Sequence, residues 1–280
     1  MNWPLATAAT SDVTSASSNE PVDLCPGSLL PRSLLPRSLP PRALHLWRWR
    51  LTATDAAYDQ LWLTADERAR AARYRFDPPR HRFVSARVGL RRILSVYLEV
   101  DDPCAFPFAS GPHGKPALAL PAQQWLRFNL AHTGDVAVCA ICRGREVGID
   151  VEAGDGSSTS PSAMSPAVRR FFSPAERAFL DRNPSPIGHA FLTLWTCKEA
   201  VGKASGAGLK PPIPTMDALL AGNLPGLPDT WLQYEEDRTW RVTRVLASTG
   251  LIGAVAVEVA DGDDAGETML TWFELPQPKA

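Results

Sequence analysis

Two carboxylates one residue apart, Asp150 and Glu152 in Val147-Gly148-Ile149-Asp150-Val151-Glu152, are the first candidates for chemistry. The alternation predicts a strand with Asp150 and Glu152 on one face and Ile149 and Val151 on the other. Neighbouring carboxylates repel unless a cation or a shared proton compensates. Mg²⁺ suits them, because it takes oxygen ligands and keeps phosphate oxygens in its shell. Taken alone, the pattern also describes a solvated strand face.

A second group lies in Leu194-Trp195-Thr196-Cys197-Lys198-Glu199-Ala200-Val201-Gly202-Lys203-Ala204. On a helix, Trp195, Glu199 and Lys203 share one stripe at i, i+4 and i+8. A surface Glu–Lys pair there would add only about 0.2–0.5 kcal/mol. Trp195 on the same stripe points instead to partial burial, where a carboxylate needs a charged partner. Gly202 costs about 1 kcal/mol against Ala in mid-helix, which points to a close approach there. Gly202-Lys203 is not a phosphate-binding P-loop, since Cys197 stands where Gly is required and Ala204 where Ser or Thr is required.

In Phe128-Asn129-Leu130-Ala131-His132-Thr133-Gly134-Asp135, His132 beside a hydroxyl and a glycine fits an anion-contacting turn or a structural histidine. Gly114-Lys115-Pro116 presents a lysine on a turn, and Arg68, Arg70, Arg73, Arg75, Arg80 and Arg82 form a basic run. Each of these, alone, is ordinarily a solvated face.

Composition narrows the setting. The chain has 280 residues, a formal charge of −1 and 45% apolar residues, values of a globular protein with no global pull toward nucleic acid or an anionic membrane. No apolar run reaches membrane-spanning length, and no secretory pattern opens the chain, so the expected compartment is the cytoplasm. The five cysteines are scattered and read as free thiols. Cys139 and Cys142 sit three apart on an apolar strand, hence on opposite faces, which favours core packing over a metal pair.

The elements that must hold these groups follow from local pattern. Residues 1–43 read as a disordered tail with a proline-punctuated repeat, Ser28-Leu29-Leu30-Pro31-Arg32 and two further copies. His45–Leu51 alternates as a half-buried strand. Helices are predicted over Ala56–Leu63, from the capping box Thr64-Ala65-Asp66-Glu67, over Arg80–Leu98, from Ser173-Pro174-Ala175-Glu176, and over Pro186–Ser205. Strands fill the interval up to Glu152, and a Gly/Ser-rich stretch follows over Ala153–Ser162. Three more strands cover Trp231–Tyr234, Thr239–Leu246 and Leu251–Val259, with a turn at Asp237-Arg238. The order gives an α+β fold of two similar halves, 44–146 and 147–275, each a small antiparallel sheet with packed helices.

Several stretches, in this order, carry a family likeness. They are Arg80-His81-Arg82-Phe83, Gly114-Lys115-Pro116, Phe128 to Thr133, Gly148 to Glu152, and Trp195 to Ala200 continuing to Gly208-Leu209. The sequence resembles the 4′-phosphopantetheinyl transferases of the surfactin-synthetase-activating type. Its last two stretches are similar to that family's G-[IV]-D-x-E and W-x-x-K-E-[AS] signatures, and the likeness covers roughly His45 to Val259.

The resemblance implies coenzyme A as donor, a serine of an apo-acyl or peptidyl carrier protein as acceptor, and adenosine 3′,5′-bisphosphate as leaving group. It implies Mg²⁺ held by Asp150, Glu152 and Glu199, with Glu199 also the base and Lys203 stabilising the departing phosphate. Arg75, Arg82, Lys115 and His132 match coenzyme A contacts. The family's Ser before the His is here Ala131, so that hydroxyl contact is lost unless Thr133 replaces it, and the resemblance implies weaker phosphate binding but not inactivity. It implies a monomer built as a pseudo-dimer, with coenzyme A between the halves. The segment Ser165–Leu194, with Phe171 and Phe172, is either a carrier-docking surface or core. Two rival readings are a Mg²⁺-dependent phosphodiesterase, which would hydrolyse coenzyme A without an acceptor, and an idle binding module. The set Asp150, Glu152, Glu199 and Lys203 argues against the latter.

Overall fold

The computed structural model describes residues 38–52, 61–111, 113–154, 169–183, 189–208, 230–235, 238–245, 250–259 and 268–276. Strand β1 (Ala43–Arg50) leads into helices α1 (Ala65–Ala72) and α2 (Asp77–Leu98). The short pair β2 (Phe108–Ser110) and β3 (Pro116–Leu118) precedes the hairpin β4 (Leu126–Thr133) and β5 (Val136–Arg143). Strand β6 (Val147–Ala153) opens a second unit with helices α3 (Pro174–Arg182) and α4 (His189–Ser205). It closes with β7 (Thr230–Glu235), β8 (Arg238–Val245), β9 (Leu251–Glu258) and β10 (Met269–Glu274).

Beside the two-stranded β2–β3 sheet, the two four-stranded sheets have the orders β10-β1-β5-β4 and β6-β9-β8-β7. Within them one motif occurs twice: a first strand, a long helix, then a hairpin whose second strand pairs antiparallel with the first. This is the mixed α+β architecture of two antiparallel-strand units expected from the element order.

Side-chain parity stacks these units in layers. The odd residues of β1 (Trp47, Trp49) pack with Leu90, Ile93 and Leu94 of α2, while Leu44 and Leu46 face the second sheet. Ile252, Ala254 and Ala256 of β9 pack with α4, while Val255 and Val257 meet Leu44 and Leu46 in the core between the sheets. The order is therefore helix, sheet, sheet, helix. That is why β1, expected to be half-buried, is buried on both faces. Cys139 and Cys142 fall in different cores, as residues three apart on a strand must. Cys104, Cys139, Cys142 and Cys197 are free thiols.

Local signals set the helix starts. Thr64 and Ser173 close reciprocal capping boxes with Glu67 and Glu176. Helix α2 begins three residues earlier than its apolar period indicated, because prolines are tolerated in a first turn, where their missing N–H has no intrahelical partner.

One strand departs from the expected division into halves. β10 lies beyond residue 147 yet pairs in parallel with β1, completing the first sheet. Its six residues give no local cue to a partner more than 200 residues away. Most of the tail, most of the helix expected over Ala56–Leu63, the stretch 155–162, and Leu209 and Asp237 lie outside the described residues. Among the described residues, no helix is long and apolar enough to cross a membrane.

Candidate active site

Strand β6 organises the site. Its apolar residues Val147, Ile149 and Val151 enter the core between the sheets, so Gly148, Asp150 and Glu152 face the other way, toward α4. Gly148 is where the helix crosses. A Cβ there would stand 2.1 Å from the Ala200 carbonyl oxygen and 2.3 Å from the Ala204 nitrogen. The close approach expected at Gly202 of the helix is thus supplied by the glycine of the strand, with Gly202 itself buried.

That contact brings the two sets of candidates together. Lys203 Nζ donates to Asp150 Oδ1 at 2.6 Å. The second oxygen, Asp150 Oδ2, is buried without a hydrogen-bond partner. Burial pushes the Asp150 carboxyl above its usual range, against the pull of Lys203. Glu152 and Glu199 are raised as well, first by burial. Asp150 adds to the rise in both, Glu152 adds to that of Glu199, and Lys203 opposes it. Three carboxylates therefore feel one another and one ammonium.

The end of β4 supplies the other wall. Asn129, buried, accepts the Ile149 N–H at 3.0 Å and so fastens β4 to β6. Farther along, the Thr133 hydroxyl donates to the Glu152 carboxylate. Thr133, expected as a stand-in for a phosphate-contacting serine, has its hydroxyl beside Glu152, and Ala131 fills the core between the sheets. Arg82 Nε of α2 donates to Asp135 Oδ1 at 3.0 Å, at the β4–β5 turn beside His132. His132 is exposed, yet packing around the ring removes enough water to lower its pKa, and the charges of Lys203 and Arg82 lower it further.

Arg82, His132, Thr133, Asp150, Glu152, Glu199 and Lys203 thus converge. Lys115, also expected, stands apart from them. It lies at the opposite end of β6, its Nζ 2.6 Å from Glu146 Oε2 and 2.9 Å from the Ala204 carbonyl. Arg75 is exposed in the turn between α1 and α2.

Sequence reasoning missed three supports. Glu146 has the same parity as Asp150 and Glu152, so the alternation could have found it. Asn129 breaks an apolar strand, a visible cue to a buried polar role. Lys198 and Glu176, at 1% and 0% exposure, form a buried ion pair at 3.0 Å that fastens α3 behind Glu199. Phe171 and Phe172 lie against Trp195 and Phe191, so these rings belong to the α4 core.

Whether the residues suit a divalent cation follows from their chemistry. Among the described residues, no three Asp, Glu, His or Cys side chains already form a closed cluster. The buried, unpartnered oxygen of Asp150, beside two further carboxylates raised by burial and mutual repulsion, is nonetheless what a hard cation would stabilise.

Comparison with known proteins fits this geometry. The 4′-phosphopantetheinyl transferase superfamily model matches residues 146–252. The chain is 38% identical over 170 residues to the 4′-phosphopantetheinyl transferase HetI of Nostoc sp., covering 59% of this chain and 70% of HetI. It is 32% identical over 156 residues to a phosphopantetheinyl transferase of Thraustochytrium sp., covering 52% of this chain and 54% of that protein. It is 27% identical over 160 residues to the 4′-phosphopantetheinyl transferase Sfp of Bacillus subtilis, covering 57% of this chain and 67% of Sfp. This chain belongs to the 4′-phosphopantetheinyl transferase family, and is accordingly an enzyme of the transferase class.

Proposed function

We propose that this enzyme, of the surfactin-synthetase-activating type, transfers the 4′-phosphopantetheine arm of coenzyme A to a serine of an apo-acyl or peptidyl carrier protein. Adenosine 3′,5′-bisphosphate leaves. The observation that carries the reading is the convergence of Asp150, Glu152 and Glu199 with Lys203 against the His132–Thr133 end of β4.

In this reading Arg82 and His132, with Arg75 on the approach, draw the phosphates of coenzyme A to the end of β4. The Lys115 ammonium, which already has two protein acceptors, is not assigned to phosphate. Asp150, Glu152 and Glu199 would hold Mg²⁺, which supplies charge neutralisation to the pyrophosphate when bound.

The serine hydroxyl attacks the pantetheine-side phosphorus, a new O–P bond forms, and the bridging P–O bond to the nucleotide breaks. Glu199 takes the serine proton, directly or through water. Lys203 stabilises the charge gathering on the departing phosphate. The enzyme acts as a monomer in the cytoplasm, with neither nucleic acid nor membrane as partner.

The test is intact mass of a purified apo-peptidyl carrier protein incubated with the enzyme, coenzyme A and Mg²⁺. A gain of one phosphopantetheine arm, abolished by EDTA and by Glu199→Gln, is expected. Release of bisphosphate without any gain in carrier mass would show hydrolysis instead and overturn the proposal.

A further inference from the structure

We infer that Lys115 is a positioning residue: it locks the last turn of α4 onto β6, setting where Glu199 and Lys203 stand. This rests on reading Glu199 and Lys203 as the reacting groups.

The last carbonyls of any helix lack intrahelical donors. In α4 two of these carbonyls have found partners. The Gly202 carbonyl accepts the Gly208 N–H at 3.0 Å, with Gly206 and Gly208 at φ +74° and +66°. The Ala204 carbonyl accepts the Lys115 ammonium at 2.9 Å, a cation placed where the helix dipole favours one.

Lys115 also holds Glu146 at 2.6 Å, and its side chain is only 16% exposed, unlike a lysine presented to solvent. Glu146 is further anchored, since its N–H donates to Glu258 Oε2 at 3.1 Å. Lys115 therefore joins β3, the start of β6 and the end of α4 at one ammonium.

The placement along β6 gives the clamp its function. Glu146, Gly148 and Asp150 succeed one another at period two on the side that faces α4. Gly148 is the point of closest approach, against Ala200 and Ala204. Lys115 bridges Glu146 to Ala204 on one side of that point, and Lys203 reaches Asp150 on the other. Lys203 immediately precedes Ala204, so a shift of the last turn moves Lys203 with it. Glu199 lies one turn earlier on the same helix. From Glu146 to Glu152 an extended strand spans roughly 20 Å, so the clamp sits at the opposite end of β6 from Glu152.

The test uses Lys115→Met, Glu146→Gln and Lys115→Arg in the full chain. Hydrogen exchange is read on the ligand-free protein, and steady-state kinetics with an apo-carrier protein. Lys115→Met should speed exchange of the amides of residues 203–206 by about tenfold or more, as expected when a local opening becomes easier. It should lower kcat about 10- to 100-fold, the range for loss of a residue that orients a ligand, while KM for coenzyme A stays within about threefold. Glu146→Gln should shift both readouts in the same direction, and Lys115→Arg should restore most of each.

Unchanged exchange together with a tenfold rise in KM and an intact kcat would overturn the clamp and make Lys115 a phosphate contact. If Lys115→Met fails to fold, Glu146→Gln decides by the same two readouts. If the parent enzyme modifies no carrier, the exchange measurement alone judges the clamp, and the failure belongs to the proposed function.

Discussion

Lys203 holds one oxygen of Asp150 at 2.6 Å, while the other oxygen of that carboxylate is buried without a partner. A carboxylate so divided has one oxygen satisfied by the protein and one without a partner in it. Asp150→Asn should lower transfer on the order of a hundredfold or more, as deletion of one electrostatic contributor does. It should also abolish the stabilisation of the folded protein by Mg²⁺, which thermal melts with and without the ion would measure.

The Thr133 hydroxyl on Glu152 is an outer support of the same kind. Thr133→Val removes a donor that favours the ionised carboxylate, so the Glu152 pKa rises further. The Mg²⁺ concentration for half-maximal activity should increase about 10- to 100-fold. Thr133→Ser keeps the hydroxyl and should leave it near the parent value.

His45 provides a pH test away from the site. Trp47 Nε1 donates to the Tyr97 oxygen at 2.9 Å, which leaves the Tyr97 hydroxyl proton for His45 Nδ1 at 2.8 Å. Burial lowers the His45 pKa from 6.5 to about 4. Above pH 6.5 the ring is neutral in both folded and unfolded chains and costs nothing. As pH falls from 6.5 toward 4, the unfolded chain binds a proton that the fold refuses, so stability declines across that window. Urea midpoints at several pH values should fall less steeply for His45→Gln than for the parent.

The Lys198–Glu176 pair sits at 1% and 0% exposure. Lys198→Met leaves a buried carboxylate without its cation and should cost about 3–5 kcal/mol in denaturant unfolding. Adding Glu176→Gln should recover much of that loss, because Gln keeps the capping-box geometry with Ser173 and removes the stranded charge.

The candidate site was legible where chemistry coincided with local periodicity. Asp150 and Glu152 could be placed on one face because strand parity is local, and Glu199 and Lys203 on one stripe because helix period is local. Both capping boxes were readable for the same reason. What escaped was settled by long-range packing. The partners of Lys115 are 31 and 89 residues away, so nothing near Gly114-Lys115-Pro116 distinguishes a buried clamp from a presented cation. Gly202 looked like the site of close approach, since a helical glycine stands out. The crossing falls instead on Gly148, whose lack of a side chain matters only once α4 lies across it.

The pairing of β1 with β10 bears on how the chain is made as well as how it rests. On the ribosome, Ala43–Arg50 emerges more than 200 residues ahead of Met269–Glu274. Until then one edge of β1 stays open along the span from Ala43 to Arg48, next to the apolar side chains of Leu44, Leu46 and Trp47. Unpaired apolar edges invite pairing with other chains, and contacts distant in sequence form slowly. The nascent chain therefore carries an aggregation-prone edge until Met269–Glu274 has emerged. A ribosome stalled before residue 269 would release a protein with its candidate site largely encoded and its first sheet unsealed.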